Sequence, residues 1–237
     1  MNFPHGSELQ PQALRISRRA RDRIAALATE TLAAGSVVTP AGAARGLCLL
    51  ALDLALGFAG GDAANAFRLA AIDPSAPAVG RAVDAFLDLL DVDVAETRSL
   101  QDARALELTF ASGRIRGDLL TQTLRLPRDA RDQLEAFAVE LRASGANVTV
   151  SATTRGLFLL ALDLAFGFAG PQATRAFRLA ASDPTAEGVQ RALVEVRCLL
   201  EAVPSTTPDP PVSSEGAITT RRGDSSPPSK IPNSRAA

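Results

Sequence analysis

Arg45-Gly-Leu-Cys-Leu-Leu-Ala-Leu-Asp-Leu-Ala-Leu-Gly-Phe-Ala-Gly60 recurs in the same chain as Arg155-Gly-Leu-Phe-Leu-Leu-Ala-Leu-Asp-Leu-Ala-Phe-Gly-Phe-Ala-Gly170. Between the opening Arg and the closing Gly the only charge is one carboxylate, Asp53 or Asp163. A helix that is apolar almost all round must be buried on almost every side. A membrane span needs roughly 18–20 apolar residues with few or no charges. These runs are shorter and carry a carboxylate near the middle. The sequence therefore predicts two central helices of a folded core, packed on each other, and no membrane span.

The repetition extends well beyond these runs. Leu14 aligns with Leu124, an offset of 124 − 14 = 110, and that offset holds without a gap to Leu90 and Leu200. About half of the paired positions are identical by direct reading. A fixed internal period is the sequence signature of a repeated fold. The expected architecture is mainly α, with two tandem copies of a short strand followed by about four helices. The expected organisation is a disordered start over 1–12, repeat one over 13–90 and a linker over 91–120. Repeat two covers 121–203, and a disordered Pro- and Ser-rich tail covers 204–237.

Each copy parses alike. Thr121-Gln-Thr-Leu-Arg-Leu126 alternates apolar and polar residues with period two, the strand signal. Ala13-Leu-Arg-Ile-Ser17 is its looser counterpart, and Pro127 is expected early in the next helix. Ala130, Leu134, Phe137, Ala138 and Leu141 form one helical stripe, copied by Ala20, Ile24, Leu27 and Ala28. Gly35 and Gly145 fall where these helices should be capped. Thr39, followed by Pro40, is expected to cap the second helix of copy one. Thr149 is expected to cap that of copy two, with Ser151 as a competing cap. The buried runs should carry these helices to Gly57-Phe58 and Gly167-Phe168. Helices over 62–71, 76–90, 172–181 and 186–203 complete the copies. Leu106 to Ile115 could form a small hairpin in the linker.

Composition narrows the function. The net charge of −1 excludes a polycation, so any nucleic-acid contact must be local. Lys230 is the only lysine, and the ten Phe are the only aromatic residues. Cys48 and Cys198 occupy non-equivalent positions and show no disulfide or metal spacing. Buried, reduced thiols are expected. Met1 to Gln12 lacks an apolar signal-peptide stretch, so the expected location is the cytoplasm. His5 is the only histidine. No nucleophile–base set, Gly-rich phosphate loop or metal cluster is visible. A non-enzymatic protein without a cofactor is expected.

The order strand, amphipathic helix, Gly turn, Thr or Ser cap and Arg-containing second helix resembles the ribbon-helix-helix DNA-binding family. Thr123-Leu-Arg-Leu-Pro-Arg-Asp-Ala-Arg-Asp-Gln-Leu134 and Val148-Thr-Val-Ser-Ala-Thr-Thr-Arg-Gly-Leu157 carry the resemblance. Leu14-Arg-Ile-Ser17 and Val38-Thr-Pro-Ala-Gly-Ala-Ala-Arg-Gly-Leu47 carry a looser version. It spans roughly 12–58 and 122–168. The third and fourth helices of each copy lie outside the minimal family fold. The resemblance implies an antiparallel ribbon made of one strand from each copy, hence a pseudo-dimer within a monomeric chain. It implies ribbon insertion into the major groove of double-stranded DNA and helix N-termini offered to phosphate. A prokaryotic-type transcriptional regulator is the function it suggests.

On that reading Pro11, Ala13 and Arg15 face outward from one strand, and Thr121, Thr123 and Arg125 from the other. Arg15 and Arg125, with Ala13, Thr121 and Thr123, are the candidate base contacts, because Arg reads guanine bidentately. Thr39, Thr149, Ser151, Arg18 and Arg128 are the candidate phosphate contacts. Asp22, Asp129 and Asp132 interleave with Arg18, Arg19, Arg21, Arg23, Arg128 and Arg131, which suits a solvated mixed face. Asp53 and Asp163 are expected to be structural charges. A carboxylate in an apolar helix is destabilising unless paired; either Arg45, Arg68, Arg155 or Arg178 is the expected partner, with Arg45 and Arg155 as buried structural charges, or the position simply reaches solvent. The alternative function is a non-catalytic helical module that binds a protein partner, including an antitoxin-like role.

Overall fold

A computed structural model describes residues 8–90, 119–168 and 170–202. The chain runs β1 (Leu9–Ser17), α1 (Arg18–Ala33), α2 (Pro40–Ala55), α3 (Gly61–Ile72), α4 (Ala76–Leu89), β2 (Leu119–Pro127), α5 (Arg128–Ala143) and α6 (Val150–Asp163). A π-helical turn, Leu164–Phe168, then leads to α7 (Gly170–Ser182) and α8 (Ala186–Ala202). The described residues are mainly helical with one two-stranded antiparallel sheet.

The strands pair in a register centred on Ala13 opposite Thr123, running from Leu9 opposite Pro127 to Ser17 opposite Leu119. Alternation sorts their side chains. Leu14, Ile16, Leu124 and Leu126 are buried beneath the ribbon, while Pro11, Ala13, Arg15, Thr121, Thr123 and Arg125 are exposed above it. Both strands are longer than expected. Leu9 to Gln12, read as part of the disordered start, and Leu119 and Leu120, read as linker, belong to the ladder. Gln-Pro-Gln has no strand pattern of its own, and pairing with Leu124 to Pro127 holds it extended. Pro11 fits because both strands of a two-stranded sheet are edges.

The stripes of α1 and α5 are buried as read. Both helices end alike. Gly35 and Gly145 take φ of +91° and +96°. Ser36 N–H then reaches the Thr31 carbonyl and Ala146 N–H the Leu141 carbonyl, each at 3.0 Å. These are the wide bonds of a Schellman ending. Thr39 Oγ1 accepts from Gly42 N–H at 3.0 Å and Thr149 Oγ1 from Ala152 N–H at 3.2 Å. Pro127 is the last strand residue and the flanking residue of α5, one place earlier than expected.

The apolar runs form the centre. From Ala43 to Ala55 every residue of α2 except Arg45 is buried. The helix stops at Ala55, short of Gly57-Phe58, with Gly57 at φ +88° and a Phe58 N–H bond to the Asp53 carbonyl at 3.2 Å. After α6 the corresponding residues leave the helical path, with Phe166 at φ −97° and Gly167 at φ +99°. By length and composition alone Val150–Gly167 is long and apolar enough to cross a membrane. Within the fold α6 packs against α2 and α3, and α2 packs against α7. Phe67 and Phe177 stack with ring centroids 6.3 Å apart, and Phe86 meets both edge-on. The possible hairpin at 106–115 and most of the 91–120 linker lie outside the described residues, as does the tail from 204.

Candidate nucleic-acid interface

The ribbon's exposed face is small and polar. Across the central Ala13–Thr123 pair, Arg15 stands opposite Thr121 at one end and Arg125 opposite Pro11 at the other. The two arginines are four residues apart along the ribbon, about 13 Å at roughly 3.3 Å per residue. They stand on opposite strands and are related by the ribbon's approximate twofold. Below it, α2 packs against β2 and α6 against β1. The exposed caps Thr39 and Thr149 thus open helices that support the ribbon.

Ser151 is not a cap. It lies inside α6, and its hydroxyl donates to the Ala13 carbonyl at 3.1 Å. This bond ties the start of α6 to the middle of β1. The aligned residue Ala41 has no hydroxyl, so the two ends of the ribbon are not held alike. Arg18 and Arg128 are the exposed first residues of α1 and α5, beside the ribbon's ends. Arg131 is engaged elsewhere: it donates to Gln10 Oε1 at 2.9 Å and pairs with Glu135 at 3.3 Å.

The two carboxylates part company: Asp53 is buried, whereas Asp163 is only half-buried. Asp163 pairs with Arg23 of α1 at 2.6 Å, and the Arg23 guanidinium lies 4.4 Å from the centre of the Phe166 ring. None of the four expected arginines is the partner. Arg68 pairs with Glu140 at 2.7 Å and Arg178 with Glu30 at 3.0 Å. Burial holds the Arg45 guanidinium below its usual pKa, and Arg155 Nε is buried with no acceptor among the described residues. Arg23 escaped the sequence reading because it sits on a different helix, 140 positions away. The position aligned with Arg23 is Gln133, so the corresponding ion pair to Asp53 cannot form. Asp53 is 4 % exposed, and burial pushes its carboxyl up to about 6.

Of the thiols, Cys48 is buried and burial pushes it up to about 12, while Cys198 is exposed. The expectation of two buried thiols is corrected there: position 198 lies on the outer face of α8. Among the described residues no group of three His, Cys, Asp or Glu could hold a metal ion. No protein-family model matches the chain, and comparison with curated proteins and with solved structures finds no match.

Proposed function

We propose that the chain is a sequence-specific double-stranded DNA-binding protein of the ribbon-helix-helix type, acting as a cytoplasmic transcriptional regulator without enzymatic activity. On this reading the two aligned segments are a tandem duplication that folds as an intramolecular pseudo-dimer. The single observation that carries it is the β1–β2 ribbon, which holds Arg15 and Arg125 exposed on either side of Ala13 and Thr123. A two-stranded ribbon fits the major groove, where Arg can grip guanine O6 and N7. Ala13 and Thr123 occupy the centre, so the two half-sites differ there and the target is an imperfect palindrome. Thr39, Thr149, Arg18 and Arg128 would then meet phosphates, through helix N-terminal N–H groups and charge.

The test is selection of duplexes from genomic fragments, followed by a salt titration on selected and scrambled sequences. Arg15→Ala and Arg125→Ala should each weaken the selected site by about 1–3 kcal/mol and relax preference at one position. With about four to six phosphate contacts, log affinity should fall against log salt with a slope of roughly −4 to −5. Absence of affinity tighter than about 1 mM at low salt, or variants that bind like wild type, would sink the proposal. The near-neutral charge and exposed Leu32 and Val37 favour a second reading, a protein-interaction module, which that result would leave standing.

A further inference from the structure

A pocket of about 340 Å³ lies where the end of the ribbon, α1, the α3–α4 turn and α6 converge. Its apolar wall includes Val79, Leu159 and Leu162, and its polar rim holds Arg15, Arg19, Arg23 and Arg155 with Asp163. The volume sits at the small end of ligand sites, which run from roughly 300 to 1,000 Å³. It suits one ring or a short branched chain.

The charge in this pocket is not repeated on the other side of the molecule. At the aligned positions 110 residues away, Arg15 becomes Arg125 and Arg155 becomes Arg45, but Arg19 becomes Asp129 and Arg23 becomes Gln133. Four arginines against one aspartate on this side correspond to two arginines against two aspartates on the other. The apolar positions are kept: Val79, Leu159 and Leu162 align with Val189, Leu49 and Leu52. Only this side carries the two extra arginines, around an apolar wall of the same residue types. Within it Arg23 is held by Asp163 at 2.6 Å and by the Phe166 ring. Arg155 also lines the pocket, with its Nε buried and without an acceptor among the described residues.

We propose that this pocket binds a small organic anion, a carboxylate or phosphate group carried on an apolar body. The head would take charge-assisted, fork-shaped hydrogen bonds from the arginines, and the body would cover Val79, Leu159 and Leu162. Arg15 belongs both to this rim and to the exposed face of the ribbon. If the DNA reading holds, an occupied pocket and a bound duplex compete for one side chain.

The experiment is calorimetric titration of the full chain at low salt, without DNA, so that failure here leaves the DNA reading untouched. The probes are benzoate, phenyl phosphate, benzamide and inorganic phosphate. At least one of the two amphiphilic anions should saturate one site per chain with a Kd below about 1 mM. Benzamide, which lacks the charge, and inorganic phosphate, which lacks the body, should bind at least about tenfold more weakly. Arg19→Asp, at an exposed position and mimicking the aligned residue, should reduce binding of the best probe at least about tenfold while circular dichroism stays unchanged. Arg155→Gln should do the same, and Arg191→Gln, on α8, should not. Binding of benzamide as tight as that of benzoate, no binding of either anion up to about 10 mM, or a folded Arg19→Asp that binds like wild type would each overturn the proposal.

Discussion

Asp53 and Asp163 occupy aligned positions in helices of almost the same sequence, yet one arginine separates their chemistry. Arg23 gives Asp163 an ion pair, whereas the residue aligned with Arg23 is Gln133. Asp163→Asn removes a charged hydrogen bond and should lower stability by about 1.5–3 kcal/mol in denaturant unfolding. For Asp53 the sign is opposite. Its folded carboxyl titrates near 6, above the unfolded value of about 3.9, so the folded state holds the extra proton between those values. Stability attributable to this group is full below about pH 4 and falls as pH rises through about 6. At pH 7 the penalty is up to about 3 kcal/mol, at 1.36 kcal/mol per pKa unit. Asp53→Asn should therefore stabilise the protein at pH 7 and flatten its stability between pH 4 and 6. A loss of stability at pH 7 in urea titrations would refute this. The thiols also separate. Cys198 should react with a thiol reagent in the native protein, while Cys48, buried and with its thiol held near 12, should react only on unfolding.

The helices meet closely where two glycines allow it. A Cβ on Gly46 of α2 would stand 1.8 Å from the Ala180 carbonyl oxygen of α7. A Cβ on Gly156 of α6 would stand 1.8 Å from the Ala70 carbonyl oxygen of α3. Neither backbone can give way without moving a helix. Gly46→Ala and Gly156→Ala should each cost at least about 2–3 kcal/mol. Gly61→Ala, in the first turn of α3 with open space around it, should be neutral or stabilising by about 0.4–1 kcal/mol. Equal midpoints for all three in thermal melts would contradict the packing. These elements were largely legible in the sequence, because period-two alternation, helical stripes, Thr caps and glycine endings are local signals. What was not legible depended on partners distant in the chain. Leu9 to Gln12 become strand only through Leu124 to Pro127. Ser151 looked like a cap because nothing local says that its hydroxyl meets the Ala13 carbonyl. Arg23 reaches Asp163 only because α1 and α6 are in contact. The one sequence signal for that asymmetry was the Arg23–Gln133 mismatch at the 110-residue offset.

For the described part of the molecule, no boundary separates residues 8–90 from 119–202. The ribbon takes one strand from each segment, α2 packs on α6 and α7, and α3 packs on α6. Phe67 and Phe86 from one side meet Phe177 from the other. Two surface pairs repeat the exchange, Arg68 with Glu140 and Arg178 with Glu30. Exposed pairs of this kind are worth little, so the shared apolar core must carry the coupling. Neither segment can lose its structure without uncovering the apolar face of the other. One cooperative transition is therefore expected, although the two aligned segments alone would suggest two units. Far-UV circular dichroism and labelling of Cys48 should give the same urea midpoint, since Cys48 lies in that shared core. Because the pairing is within one chain, the midpoint should not move over an approximately hundredfold range of protein concentration, as it would for a folding-coupled dimer. Separated midpoints would show that the segments unfold independently, and a midpoint that rises with concentration would show that a second chain supplies part of the core.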